Sequence, residues 1–91
     1  MPTQEPQIKL AANLVRAAHQ VQVGARYRHY KNRSYTVIGL ALREADCEPC
    51  VIYQADYDPH LTWIRPVAHW AESVSVDGKT MPRFALMDDQ R

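Results

Sequence analysis

Residues 26–42 read RYRHYKNRSYTVIGLAL, and this stretch decides how the chain folds. Its beginning alternates basic with aromatic side chains, its end is largely apolar, and the polar segment 31–33 lies between them. Asn32 in that segment tolerates the left-handed backbone that a tight turn requires. The stretch therefore predicts a β-hairpin, with a basic-aromatic strand over 26–30 and a long apolar strand over 34–42.

The alternation of strands continues towards the C-terminus. Further strands are predicted over 50–57, 62–65, 73–76 and 80–86. Asp77-Gly78, between the last two, is the strongest short hairpin signal in the chain. The segment from Pro66 to Trp70 fits either the first turn of a helix or a strand. These elements together predict a small, mainly β domain: a β-barrel of about five strands.

The residues before Gly24 follow a helical period instead. Their apolar side chains predict an α-helix over residues 8–22, with Gly24 as its stop. Because both faces of the strand over 34–42 are apolar, we expect the helix to cover the outer face of the barrel. The apolar stripe of the helix consists of Leu10, Leu14, Ala17, Ala18 and Val21, widened by Ile8, Ala11 and Val15.

Length and charge limit the classes of function. The chain has 91 residues, enough for one small domain, and its formal net charge of +1 means that any attraction to nucleic acid or membrane must be local. The sequence has no apolar run of about 18 residues, which a transmembrane helix would need, and no recognisable signal peptide. We therefore expect the protein to be cytoplasmic. The expected organisation is a flexible tail over 1–7, a helix over 8–23, a β domain over 24–87 and a polar tail over 88–91.

Several spaced motifs follow one another in a recognisable order. They are Tyr27-Arg28-His29-Tyr30-Lys31, Tyr35, Val37, Gly39, Ala41, Val51-Ile52-Tyr53-Gln54, Tyr57, Trp63-Ile64-Arg65-Pro66, Glu72, Asp77-Gly78 and Pro82-Arg83-Phe84. Together they resemble a bacterial family of short domains of unknown function, over roughly residues 24–86. The resemblance implies a small SH3-like barrel and supplies no activity, and it leaves the residues before 24 outside the family.

The chain departs from this family pattern at three positions. Arg43 stands where the resemblance leads us to expect a histidine, Ala45 where it implies an acidic residue, and Asp56 where it implies an apolar one. If the family has a site that uses that histidine, the site is altered or absent in this chain.

The basic-aromatic strand is the first candidate binding surface. By alternation Arg26, Arg28 and Tyr30 share one face, and Lys31 and Arg33 extend the charge into the turn. Guanidinium groups can pair with phosphates, and aromatic rings can stack on bases. The alternative is that these are edge-strand charges that block aggregation, with tyrosines that wrap the core.

Trp63 and Arg65 form the second candidate surface, because they alternate on one strand and so share a face. An arginine beside a tryptophan can form a cation–π shelf for a ligand. The favoured alternative is a structural Arg65 that pairs with Glu72. Arg83 is expected to have a similar structural role, with Phe84 as a core residue that ends the barrel.

No constellation of residues predicts catalysis. Only His29, Tyr53 and Glu72 are candidates for a general acid or base. The Cys47-Glu48-Pro49-Cys50 motif has no second ligand pair at zinc spacing, so we expect neither a metal nor another cofactor.

Three hypotheses follow for the function. The first is a non-catalytic module that recognises an anionic ligand, most favourably single-stranded nucleic acid. The second is a protein-interaction module that uses the barrel groove or the N-terminal helix, whose wide apolar stripe also suggests a homodimer. The third and least favoured is an enzyme that acts on a small anionic metabolite. The candidate ligand-binding residues are Arg26, Arg28, Tyr30, Lys31, Arg33, Trp63 and Arg65.

Overall fold

A computed structural model describes the backbone of residues 4–87 and the side chains of residues 10–87. Residues 1–3 and the predicted polar tail over 88–91 lie outside the described residues. The mainly β class with an N-terminal helix is confirmed. The elements are α1 (Gln4–Ala18), β1 (Arg26–His29), β2 (Ser34–Arg43), β3 (Glu48–Ala55), β4 (Thr62–Pro66), α2 (Val67–Trp70), β5 (Ser73–Val76), β6 (Lys79–Pro82) and β7 (Phe84–Leu86).

The strands form two antiparallel sheets. One sheet has five strands in the order β4-β3-β2-β1-β7, and the other is the β5-β6 hairpin. Within residues 4–87, no strand pairing joins the edge strands β4 and β7, so the five strands form an open sheet. The expected small β domain is therefore confirmed. Its closure into an SH3-like barrel stays a prediction.

The single strand predicted over 80–86 is divided into β6 and β7 at Arg83. The Arg83 N–H donates to the Glu72 carbonyl at 3.0 Å, and its own carbonyl accepts from the Tyr30 N–H at 2.9 Å. These contacts turn the chain from the β5-β6 hairpin to the main sheet, where β7 pairs with β1.

The predicted helix over 8–22 is shifted in the structure, where α1 covers Gln4–Ala18. Its start includes residues of the predicted tail, because a proline in the first helical turn loses no intrahelical hydrogen bond. Its end is closed by short-range bonds from the His19 and Gln20 N–H groups to carbonyls three residues earlier. The chain then leaves the helix and places Val21, only 2% exposed, in the core. Burial of Val21 thus overrides the local helical pattern.

Helix α1 packs against β2 and β3, as expected of an element that covers the sheet. Ala17 is buried, and Leu10 and Leu14 are half-buried. The predicted apolar stripe is only partly covered, because Val15 remains 62% exposed. Ile8, which belonged to the same stripe, lies outside the described side chains.

Aromatic rings build the end of the core. The rings of Trp70 and Phe84 are stacked, with centroids 3.7 Å apart, and Tyr27 and Tyr53 meet Trp70 edge-on at 5.2 and 4.9 Å. Trp70 reaches this position because residues 67–70 form the short helix α2, which resolves the ambiguous segment after Pro66 in favour of a helix. Burying one such side chain stabilises the fold by roughly 1.5–3 kcal/mol.

Candidate ligand-binding cavity

A cavity of about 430 Å³ opens at the end of the main sheet, beside the β1-β2 turn. This volume is in the range of small-molecule sites. Its lining has four cationic and six aromatic side chains, one histidine and no carboxylate. The lining residues are His29, Tyr30, Lys31, Arg33, Tyr35, Tyr53, Tyr57, Trp63, Arg65, Arg83 and Phe84.

Strand register explains why residues far apart in sequence meet in this cavity. Tyr27 pairs with Tyr35, Tyr53 pairs with Trp63, and His29 pairs with Phe84. Directly paired residues point to the same face of an antiparallel sheet. The cavity therefore lies on the core face of the sheet, at the end where the aromatic core reaches solvent.

Tyr35 is at the centre of the aromatic lining. Its ring meets Tyr53 at 5.4 Å and Tyr57 at 5.8 Å, and its hydroxyl lies 3.3 Å from the Tyr57 hydroxyl. Burial first, and then the hydrogen bond with Tyr57, raise the pKa of Tyr35 to about 12. The phenol therefore stays neutral at physiological pH and can donate or accept a hydrogen bond.

Arg65 is held against the aromatic lining. Its Nε donates to the Tyr53 hydroxyl at 3.2 Å, one terminal nitrogen lies 2.9 Å from His69 Nδ1, and its guanidinium lies 5.5 Å from the centre of the Phe84 ring. The expected pairing of Arg65 with Glu72 is wrong, because Glu72 pairs with Arg83 instead, at 3.2 Å. The β5-β6 hairpin brings Arg83 to Glu72, because Ser73 pairs with Pro82 and these two residues come next in the register.

The other three cations enter from two different segments. Lys31 and Arg33 come from the β1-β2 turn, and Arg33 lies over the Tyr57 ring at 4.3 Å. Lys31 is 5.8 Å from the centre of the Tyr30 ring. Arg83 comes from the junction before β7, and its buried Nε has no hydrogen-bond partner among the described residues.

His29 is a lining residue that the sequence marks only as a candidate for catalysis. Its Nδ1 accepts a hydrogen bond from the Lys31 N–H at 3.1 Å, and its ring packs edge-on against Phe84 at 4.8 Å. Burial first, and then the charges of Arg65, Lys31 and Arg83, lower the pKa of His29 below 6.5. A neutral His29 with Nδ1 engaged carries its proton on Nε2 and offers a donor.

Five of the seven predicted ligand-binding residues line the cavity, and two do not. Arg26 forms an ion pair with Asp56 at 3.1 Å, and Arg28 donates to Asn32 at 3.1 Å. Both lie on the opposite face of the sheet from Tyr27 and His29. The cavity brings together Tyr30, Lys31, Arg33, Trp63 and Arg65.

Alternation placed Tyr30 with Arg26 and Arg28, but β1 ends at His29. Tyr30 therefore leaves the pattern of the strand and joins the cavity.

The three departures from the family pattern lie outside this cavity. Arg43 forms hydrogen bonds of 2.6 and 2.9 Å with Asp46 in the β2-β3 turn, which also contains Ala45. Asp56 accepts from Thr36 at 2.7 Å. Burial acts to raise the pKa of Asp56, but hydrogen bonds from Thr36, Ser34 and Arg26 outweigh it and lower the pKa.

The remaining candidates for chemistry are dispersed. Cys47 is exposed, Cys50 is buried, and burial raises the pKa of the Cys50 thiol. Within residues 4–87, no three His, Cys, Asp or Glu side chains are grouped so as to hold a metal ion. His29 and Tyr53 line the cavity, whereas Glu72, the third residue considered for catalysis, does not.

Residues 25–86, which include every residue that lines the cavity, match the model of a family described as "Protein of unknown function (DUF1653)". The chain belongs to the DUF1653 family. A crystal structure of a DUF1653 protein from Bordetella bronchiseptica is similar, with 32% sequence identity, a TM-score of 0.65, and coverage of 74% of this chain and 87% of that chain. A comparison with curated proteins finds no match.

Membership in DUF1653 confirms the resemblance to a family of unknown function. Helix α1 precedes the matched residues, so it lies outside the family match, as expected. None of the helices between residues 4 and 87 is long and apolar enough to cross a membrane.

Proposed function

We propose that this DUF1653 domain is a non-catalytic binding module that recognises an anionic ligand, most favourably single-stranded nucleic acid, in the cavity beside the β1-β2 turn. The observation that carries the proposal is the lining itself: four cations and six aromatic rings with no carboxylate among them. Such a lining is complementary to a ligand that combines negative charge with flat, apolar surface.

The local charge of the cavity contrasts with the charge of the whole chain. The net charge is only +1, so the attraction is concentrated at the cavity, where four cations meet and no carboxylate lines the wall. Glu72 contacts Arg83 at 3.2 Å from outside this lining. Guanidinium groups bind phosphates with charge-assisted hydrogen bonds, and base stacking on an aromatic side chain contributes about 1–3 kcal/mol per base.

Two features of the cavity favour binding over catalysis. The Tyr35 phenol has a pKa of about 12, so it is not a base at neutral pH. His29 already uses Nδ1 to accept the Lys31 N–H, so the ring is held as a hydrogen-bond donor rather than left to shuttle a proton. Glu72, which could have completed an acid-base pair, contacts Arg83 and His69.

Fluorescence anisotropy with a labelled single-stranded oligonucleotide of mixed sequence tests the proposal. Arg33→Gln removes a lining charge, whereas Arg28→Gln removes the same charge from the opposite face of the sheet. We expect Arg33→Gln to weaken binding by about tenfold and Arg28→Gln to leave it within about twofold. Equal effects of the two substitutions would contradict a site in the cavity, and so would an unmodified protein that does not bind.

A second candidate function is protein interaction through α1, with a second copy of the chain as the partner. Val15 on α1 is 62% exposed and Val23, beyond its end, is 52% exposed, so the helical segment keeps apolar surface that the sheet does not cover. Pairing of two such helices would remove this surface from water.

A further inference from the structure

Three of the four cations of the cavity come together near His29. Lys31, Arg65 and Arg83 come from three separate segments, and all three are close enough to His29 to depress its pKa by their charge. Arg65 and His29 both pack against the Phe84 ring, at 5.5 and 4.8 Å. The positive charge of these three side chains is therefore focused near His29.

Several basic side chains outside the cavity are already engaged. Arg26 pairs with Asp56, Arg43 with Asp46, and Arg16 donates to Asn13. A surface that follows a long phosphate backbone needs cations along its path. Within the cavity Arg83 is paired as well, with Glu72 at 3.2 Å, but no ion pair among the described residues joins Lys31, Arg33 or Arg65 to a carboxylate. Three cations without a carboxylate partner therefore lie together at the cavity, which favours a compact anion over an extended one.

Trp63 supplies a different kind of contact at the same cavity. Trp63 is 47% exposed, and its ring makes no contact with another described aromatic ring. Tyr57, in contrast, already has the Arg33 guanidinium over its face at 4.3 Å. Trp63 is thus the uncovered flat surface of the cavity, and flat surfaces of this kind stack on nucleobases.

We infer that the ligand group held in the cavity is a nucleotide with a terminal phosphomonoester, either a free nucleoside monophosphate or the phosphorylated end of a single strand. This inference rests on the proposed function and specifies its ligand. The phosphate lies among Lys31, Arg65, Arg83 and the Nε2–H of His29, and the base stacks on Trp63.

The charge of a phosphomonoester explains this choice. It carries about 1.5 to 2 negative charges at neutral pH and three terminal oxygens, against one charge for a phosphodiester or a carboxylate. Three converging cations and a neutral histidine donor match the larger charge and the larger number of acceptors. Arg83 contributes through its guanidinium, which also contacts Glu72 at 3.2 Å.

Calorimetric titration of the full chain with four probes separates the alternatives. The probes are adenosine 5′-monophosphate, adenosine, and one single-stranded pentanucleotide with either a 5′-phosphate or a 5′-hydroxyl. We expect the phosphorylated probe of at least one pair to bind about tenfold or more tightly than its unphosphorylated partner. Preference within the adenosine pair alone identifies a free nucleotide, and preference within the pentanucleotide pair identifies a strand end.

Two outcomes overturn the inference, and they differ in meaning. If both pentanucleotides bind equally and adenosine 5′-monophosphate does not bind, the terminal phosphate is not recognised, but the proposed nucleic-acid module survives. If none of the four probes binds, both the inference and its nucleic-acid basis are wrong.

Substitutions test the proposed contacts to the base and to the phosphate separately. Trp63→Leu is expected to weaken binding of adenosine 5′-monophosphate by about tenfold and to leave ribose 5-phosphate within about twofold, because only the former has a base to stack. Lys31→Gln is expected to weaken both, whereas Lys79→Gln, outside the cavity, is expected to weaken neither. Unchanged affinity in Trp63→Leu would remove the stacking assignment.

Discussion

The backbone N–H of Lys31 donates a hydrogen bond of 3.1 Å to Nδ1 of His29. This contact fixes the tautomer, because a neutral imidazole that accepts at Nδ1 has its proton on Nε2. The β1-β2 turn thus brings the Lys31 ammonium group to the cavity and also orients a neutral donor there. His29 connects the local turn to the proposed anion site.

We expect NMR titration to give His29 a pKa below 6.5 in the free protein, because burial and the charges of Arg65, Lys31 and Arg83 all disfavour imidazolium. Adenosine 5′-monophosphate is expected to raise this pKa, since its charge offsets those cations. His29→Gln assigns the signal among the four histidines. A His29 pKa at or above 6.5 without ligand would contradict the electrostatic account.

The lowered pKa also affects stability. The unfolded chain binds a proton at His29 near pH 6.5, whereas the folded chain binds it only at a lower pH. The contribution of His29 to stability is therefore fully present above pH 6.5 and is lost as the pH falls from 6.5 through the folded pKa. Urea unfolding across this range should show a shallower loss of stability in His29→Gln than in the unmodified protein.

The segment that follows α1 is expected to be part of the core. Val21→Ala, at a side chain that is 2% exposed, should lower the free energy of unfolding by about 1–3 kcal/mol. Val15→Ala, on the exposed face of α1, should change it by less than about 0.5 kcal/mol. Chemical denaturation measures both values, and similar costs at the two sites would mean that the segment after α1 does not contribute to the core as described.

The proposed homodimer predicts that the full chain sediments as a dimer. Val15→Glu places a charge on the exposed face of α1 and should shift the chain to the monomer while circular dichroism stays unchanged. A monomeric full chain in sedimentation velocity would rule out self-association through α1.

The β5-β6 turn depends on the absence of a side chain at Gly78. Asp77 and Gly78 both have positive φ, 52° and 78°, and residues with a Cβ rarely adopt this conformation. Gly78→Ala should therefore destabilise the fold by about 1 kcal/mol. Gly39→Ala, at a position with ordinary φ and no heavy atom within 4 Å of the added Cβ, is the matched control and should be neutral or slightly stabilising. Thermal unfolding measures the stability of both variants against that of the unmodified protein.

Much of the fold could be predicted because its signals are local. The hairpin over 26–42 forms as its pattern indicates, and Asn32 takes the expected left-handed backbone with φ 75°. The end of α1 and the division at Arg83 could not be predicted in this way. Both depend on contacts distant in sequence, namely the burial of Val21 and the hydrogen bond from the Tyr30 N–H to the Arg83 carbonyl.

The cavity could be predicted only in part. The alternation of side chains along β1 places Arg26 and Arg28 on one face of the sheet and His29 on the other. It does not reveal which of the two faces carries the cavity. Tyr35 and Tyr53 have the pattern of core residues, and only the register of β2, β3 and β4 shows that they also line a cavity. The shared face of Tyr35, Tyr53 and Trp63 was the signal that could have found them.

The central claim is that an anionic ligand binds among the cations beside the β1-β2 turn. Amide NMR spectra of the uniformly labelled full chain, recorded during titration with adenosine 5′-monophosphate, test it most directly. The account predicts that the largest shifts occur at Lys31, Arg33 and Arg65 and at the indole N–H of Trp63. Shifts centred on Arg26 and the opposite face of the sheet, or no shifts at all, would contradict it.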